Sequence, residues 1–311
     1  MDSLVVSFRR GARRVTLLVS RYRYALLQIA GSYVVVSLIL FAVFRLAIIL
    51  HRPKPEKETS QDASRPKRRK GHLLIVLGSG GHTSEMLCIL QNLGAEYLHN
   101  RFDRRTWVVS SGDAFSAERA KRFEDWIGQG RSSRSSWDII TVHRARKIHQ
   151  PLYTAPVSCL RCFWDCIQAL RGTHRDLKST PNGAKSNTGN TVTTPYPDLI
   201  LANGPATAVV LILASLVLIF LGLAPINPGR EVGGAMRSIY IESWARVKTL
   251  SLSGKILRFL AARFLVQWRG LEDVDLTKVS QGPDGNDVEV EQNAKSKLWS
   301  RKIEHVGTVV A

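Results

Sequence analysis

Cysteine is too scarce in this chain to build it. Four cysteines among 311 residues (Cys88, Cys159, Cys162, Cys166) exclude a disulfide scaffold and read as reduced thiols in a cytosolic setting. Acidic residues are also under-represented, 25 against 44 lysines and arginines, which leaves a net charge of +19. The composition, 44% apolar and 22% charged, nevertheless excludes a wholly disordered chain. At about 150 residues per domain, the length allows one large unit with attachments or two units.

The positive charge is uneven. Residues 1–70 hold 15 basic and 4 acidic residues, whereas residues 272–311 hold 5 and 8. Beside the first excess lies a charge-free run of 21 residues, Tyr24 to Phe44, continued after Arg45 by LAIIL. At about 1.5 Å per residue a helix of that length crosses a hydrocarbon core of about 30 Å. No small-residue cleavage site follows, so the run reads as an anchor and not a signal peptide. The expected organisation is a basic segment at 1–23, a transmembrane helix at 24–50 and a basic linker at 51–70. Six arginines precede the span and eight basic residues follow it, so charge gives only a slim preference for a cytosolic C-terminal side. RPKRRK in the linker fits a lipid surface better than a nuclear signal, and no nucleic-acid partner is expected.

Beyond the linker, apolar runs of strand length alternate with stretches of helical length: 72–77, 106–111, 138–142, 198–203, 238–243 and 264–268. This alternation predicts an α/β fold, a Rossmann-like parallel sheet with helices on both faces, over 71–271. Residues 172–197, rich in Thr, Asn, Gly and Pro, read as a flexible insertion, and 272–311 as a polar, disordered tail. Ala206 to Ala224 carries no charge and has the hydropathy of a second span. A single crossing there would put the flanking strands on opposite sides of a bilayer, so it reads as a helix buried on the sheet or lying partly in the membrane face.

In such a sheet ligands sit at the carboxyl ends of the strands. Gly78, Ser79, Gly80, Gly81, His82 and Thr83 join the first strand to a helix, and backbone N–H groups in that setting suit a phosphate or diphosphate. The dinucleotide fingerprint fails because Thr83 replaces its third glycine, and no G-K-[ST] completes a P-loop. Ser110 and Ser111 end the second strand where an oxidoreductase would carry an acid, so no nucleotide cofactor is expected. His82 is the candidate general base, and hydrogen-bonded capping of the turn is its other reading. Asn203, Gly204 and Pro205 follow the fourth strand at the same edge. Arg144, Arg146 and Lys147 follow the third and offer counter-charge to an anion. Cys159, Cys162 and Cys166 fall on one helix face but lack a fourth ligand, so helix packing is preferred to a metal site.

Taken together, VLGSGGHTSEML, PDLILANGPATA, IYIESWARVKTLSLSGKIL and FLVQW resemble the membrane-anchoring subunit of the two-subunit UDP-N-acetylglucosamine transferase of asparagine-linked glycosylation, over about 71–268. That family is similar to the N-terminal half of MurG-type GT-B glycosyltransferases. The resemblance implies a chain inactive alone that recruits a soluble catalytic subunit to the cytosolic face of the endoplasmic reticulum, or of the nuclear envelope continuous with it. It implies a dolichol diphosphate N-acetylglucosamine acceptor receiving a second N-acetylglucosamine. The family's glycine-rich loop falls on Gly78 to Thr83, its Asn-Gly-Pro loop on Asn203 to Pro205, and its serine- and arginine-bearing segment on Glu242 to Lys248. A pure membrane tether with no part in the active site is the alternative.

Overall fold

The computed structural model describes residues 2–52, 70–129, 136–146, 150, 153–178, 195–204, 206–226, 234–271 and 304–305. Most of the linker, the middle of the insertion, most of the tail, Lys147 and Pro205 lie outside the described residues. Two compact units are present, residues 1–51 and 52–311.

The first unit is one helix, α1 (Asp2–Leu50). Its stretch Gln28–Leu50, 23 residues, is long and apolar enough to cross a membrane. The basic segment and the span are therefore one continuous helix, and the apolar stretch ends at Leu50, where the expected span ends. A lone arginine near the end of a span can extend its apolar stem and leave its charge at the interface.

The second unit is built on a parallel sheet. Its strands are β1 (Gly71–Val76), β2 (Phe102–Ser110), β3 (Ser136–Val142), β4 (Leu199–Asn203), β5 (Arg237–Ile241), β6 (Arg263–Val266) and the two-residue β7 (Glu304–His305). They lie in the order β3-β2-β1-β4-β5-β6-β7, every neighbouring pair parallel. All six strands expected from the hydrophobic runs are present within a few residues, and the architecture is Rossmann-like. β1 is central and covered on both faces, so His72 to Val76 are all buried and the run is almost wholly apolar.

The connecting helices are α2 (Gly81–Leu93), α3 (Ala95–Arg101), α4 (Ala114–Gly128), α5 (Ala155–Leu170), α6 (Thr207–Phe220) and α7 (Leu252–Leu260). Right-handed crossovers place α2, α3 and α4 on one face and α5, α6 and α7 on the other. The short α3 was not expected from the sequence. Asp113 caps α4 by accepting from Ser116 N, and Ser251 caps α7 by accepting from Gly254 N.

Under α4, Trp107 meets Phe123 edge-on at 5.6 Å. Beside them Arg105 of β2 makes a bidentate ion pair with Glu124 of α4, at 2.7 Å at its closest, and Trp107 Nε1 donates to the same carboxylate at 2.8 Å. Both charged side chains are fully buried, so the pair fixes how α4 registers on the sheet, and losing either partner leaves an uncompensated charge.

The apolar segment after β4 is α6, fourteen residues and too short to span. Because β4 and β5 are hydrogen-bonded neighbours, the chain cannot cross a bilayer between them. Leu211, Ile212, Ala214, Leu218 and Ile219 are buried against the sheet side.

Two expectations about irregular segments differ at their ends. The insertion was placed at 172–197, yet a 3-10 turn at Arg175–Lys178 is docked on β3: Asp176 Oδ2 accepts from Thr141 N at 2.8 Å and His174 is buried. β3 is an edge strand, and this carboxylate occupies one of its open N–H groups. In the tail, Glu304–His305 pair with Leu265 and Val266, so these two residues at least belong to the sheet.

Candidate functional site

Strand order reverses between β1 and β4, and the loops leaving the carboxyl ends of these two strands lead to helices on opposite faces of the sheet. The expected site residues gather at this point, in two sets.

The first set lines a cleft of about 120 Å³: Gly78 and Ser79 after β1, Arg144 and Arg146 after β3, and Asn203 at the end of β4, with Ser110 and the first residues of α6, Ala206 to Ala208. Ser110 Oγ lies 3.0 Å from Thr207 Oγ1, tying β2 to the start of α6. Arg146 is exposed and donates to Gln150 O at 3.3 Å, while Arg144 is half-buried with its backbone N–H on Ser111 Oγ. No side chain caps α6, whose first turn lines the same cleft as Arg144 and Arg146. The polarity of the helix end and the two charges have the same sign, which suits an anion.

Gly80, Gly81, His82, Thr83 and Gly204 form the second set and do not line that cleft. Gly80 begins α2 at φ 62°, a conformation that favours glycine, and no side chain caps this helix either. Thr83 is fully buried; its hydroxyl donates to Gly78 O and lies 2.7 Å from Ser116 Oγ. That side chain closes the loop from beneath, so any contact it makes with an anion is through its backbone. Gly78 and Gly204 touch back to back. A Cβ built on Gly78 would stand 2.7 Å from His82 Cβ and 3.2 Å from Gly204 Cα, and Gly204 itself has φ +103°. Two glycines are thus required for the β1 and β4 loops to approach.

Between the sets runs a polar chain. His82 Nδ1 meets Asn203 Oδ1 at 3.1 Å, Asn203 Nδ2 donates to Glu85 Oε2 at 2.9 Å, and Glu85 also accepts from Ser243 Oγ at 2.8 Å and Trp244 N at 3.3 Å. Glu85 was not singled out in the sequence. It lies one helical turn after the glycine loop, and only the fold shows that its carboxylate joins three loop regions.

The segment Glu242 to Lys248 leaves β5 beside this chain. Glu242 is buried, with Oε2 accepting from Ser251 Oγ at 3.1 Å and Gln267 Nε2 donating to its backbone carbonyl. Burial raises its carboxyl above the usual range, partly offset by the bonds from Ser251 and Ser243. Tyr240, stacked on Phe264, donates to Gly204 O at 3.3 Å, and burial holds its phenol protonated.

Cys162 and Cys166 are fully buried with sulfurs 4.0 Å apart, and the hydrogen bond between them, together with burial, raises the Cys166 thiol well above its ordinary value. Cys159 Sγ donates to Ala145 O. These are packing contacts of α5, and among the described residues no group of three metal-ligating side chains forms.

The strand order, the reversal between β1 and β4 and the cleft at that crevice define a Rossmann-like chain with an arginine-bearing cleft at the switch point. Residues 73–281 match the family described as oligosaccharide biosynthesis protein Alg14 like, past Trp268 where the resemblance was expected to end. The UDP-N-acetylglucosamine transferase subunit ALG14 of Cryptococcus neoformans var. neoformans serotype D (strain JEC21) is 39% identical over 247 residues, 79% of this chain and 95% of its own. The alg14 subunit of Aspergillus fumigatus is 42% identical over 54% of this chain and 84% of its own, and that of Mus musculus 30% over 66% and 79%. No solved structure matches. The chain belongs to the Alg14-like family of oligosaccharide biosynthesis proteins.

Proposed function

We propose that the chain is the membrane-anchored, non-autonomous subunit of a UDP-N-acetylglucosamine transferase. In this reading α1 holds it in the endoplasmic reticulum membrane with the sheet unit cytosolic, a soluble catalytic subunit docks on it, and its crevice takes a lipid diphosphate N-acetylglucosamine acceptor. The observation that carries the proposal is the convergence of Arg144, Arg146, Gly78 and Ser79 on the uncapped start of α6. The names of the relatives as transferase subunits supply the reaction class and the need for a partner.

The shape of the cleft favours one side of the glycine loop for the diphosphate. Gly80 to Thr83 contribute a second helix end nearby, but the concave, arginine-bearing space lies on the α6 side of Gly78. In this reading the diphosphate occupies that space and the attacking N-acetylglucosamine hydroxyl faces His82. With Nδ1 engaged by Asn203, His82 Nε2 takes the hydroxyl proton as the oxygen attacks the anomeric carbon of the donor sugar and the nucleotide diphosphate leaves.

The test is to co-purify the chain with its candidate soluble partner and measure sugar transfer to a lipid diphosphate acceptor, with each chain alone as control. Transfer by the pair only is expected. Transfer by this chain alone refutes non-autonomy. A complex whose transfer survives Arg144→Ala combined with Arg146→Ala unchanged shows a tether that takes no part in acceptor binding.

A further inference from the structure

Arg144 lines the cleft half-buried, and among the described residues no group accepts a hydrogen bond from its guanidinium. Its place at the cleft is therefore set by the backbone that carries it. A binding group on a loose loop loses part of its worth to ordering, and a loop held in advance avoids that loss.

β3 ends at Val142, and each of the next three residues is gripped. His143 N–H donates to Asp165 Oδ2 at 2.7 Å and Arg144 N–H to Ser111 Oγ at 3.1 Å. The carbonyl of Ala145, a wholly buried residue, accepts from Ser158 Oγ at 2.8 Å and Cys159 Sγ at 3.3 Å. Ser158, Cys159 and Asp165 all belong to α5, no residue of which lines the cleft. The helix therefore acts on the site only through the loop from which Arg144 projects.

Asp165 differs from the other holders. It is the charged one, its side chain is 16% exposed, and the oxygen that takes His143 N–H also meets His143 Nδ1 at 2.6 Å. Hydrogen bonds to an ionised acceptor are roughly twice as strong as neutral ones. One carboxylate thus fixes both the peptide and the ring of the residue just before Arg144. His143 does not line the cleft and its ring is half exposed, so the pair forms a clamp on the backbone and not a second base.

We propose that Asp165 is a positioning residue for the acceptor site: through His143 it fixes the turn after β3 that presents Arg144 to the cleft, and so sets acceptor affinity without touching substrate. This rests on Arg144 meeting the acceptor diphosphate, the reading given above.

The test is a double-mutant cycle on the complex with the soluble subunit, in which kcat and the KM values for the lipid diphosphate acceptor and the nucleotide sugar are measured for each member. Asp165→Ala should raise the acceptor KM several-fold, less than Arg144→Ala does, and leave the other two constants unchanged. Asp165→Asn keeps an oxygen that accepts from both His143 groups and should restore most of the loss. In the Arg144→Ala background Asp165→Ala should add nothing, because no guanidinium is left to position. His143→Ala, a change at an exposed ring that keeps the backbone bond, should repeat the pattern more weakly, and it decides the matter if Asp165→Ala does not fold. Effects that multiply in the double variant overturn the proposal. So does an unchanged acceptor KM, or an equal loss for both substrates, which marks general damage to the fold. The acceptor reading fails by a different result, an Arg144→Ala variant with the parental acceptor KM, and it takes the positioning role with it. A normal Arg144→Ala response with absent or multiplying Asp165 effects removes the positioning role alone.

Discussion

Asn203 is held in one orientation by Glu85 and, in that orientation, sets the proton on His82. Its Nδ2 donates to the Glu85 carboxylate, an acceptor only, so Oδ1 faces His82 and Nδ1 must carry the hydrogen. Nε2 is then the basic nitrogen. His82→Ala should lower turnover by about 10²- to 10⁴-fold with little change in the acceptor KM, the range for a lost general base. Glu85→Ala, which frees the Asn203 amide to flip, should lower turnover in the same direction by a smaller factor. A rise in KM alone for either variant would assign these residues to binding.

The glycines of the first loop are not equivalent. Gly80 needs its positive φ, whereas a Cβ at Gly81 would meet no atom within 4 Å. Gly80→Val should therefore weaken folding, and Gly81→Val should fold and bind the soluble partner normally. Its effect on transfer then reports the ligand directly. A loss of transfer places substrate over Gly81, and normal transfer restricts the diphosphate to the α6 side. Thermal melting and steady-state kinetics on the same preparations separate the two variants.

Arg144 is the half-buried charge of the cleft, and Arg146 the exposed one. Losing one charge-assisted hydrogen bond is worth about 1.5 to 3 kcal/mol, roughly 10- to 150-fold in affinity. Arg144→Ala should weaken the acceptor constant within that range, leave the nucleotide-sugar constant alone, and exceed Arg146→Ala in effect. Equal loss for both substrates would mean that Arg144 supports the fold of the complex and not the acceptor.

The sheet was legible because each strand is an apolar run bounded by turn residues, and the parallel order leaves those runs buried on both faces. Asn203 and Arg144 were legible as strand-end residues for the same reason. Glu85 was not, because an acid in the first turns of a helix looks like ordinary helix chemistry until β4 and the loop after β5 arrive beside it. The Arg105–Glu124 pair was equally hidden: its members are 19 residues apart on different elements, and nothing local marks either as buried. The position of the cleft on the α6 side depended on which face each crossover helix covers, which spacing along the chain does not encode.

Glu242 gives the last prediction, in pH. Burial is the leading cause of its raised carboxyl value, and its Oε2 lies so close to Gly254 that a Cβ there would stand 1.8 Å away. In the unfolded chain the group ionises near its ordinary value of 4.5. In the folded protein it holds its proton to higher pH, so between the two values the folded state binds more protons than the unfolded one. Stability then falls as pH rises from about 4.5 through the folded value and is level again above it. Glu242→Gln removes this contribution and keeps an acceptor for Ser251. The difference in unfolding free energy between Glu242→Gln and the parent chain, measured by denaturant titration at a series of pH values, should increase in favour of the variant across that window. A difference that stays constant with pH would show that Glu242 is ionised without penalty in the fold.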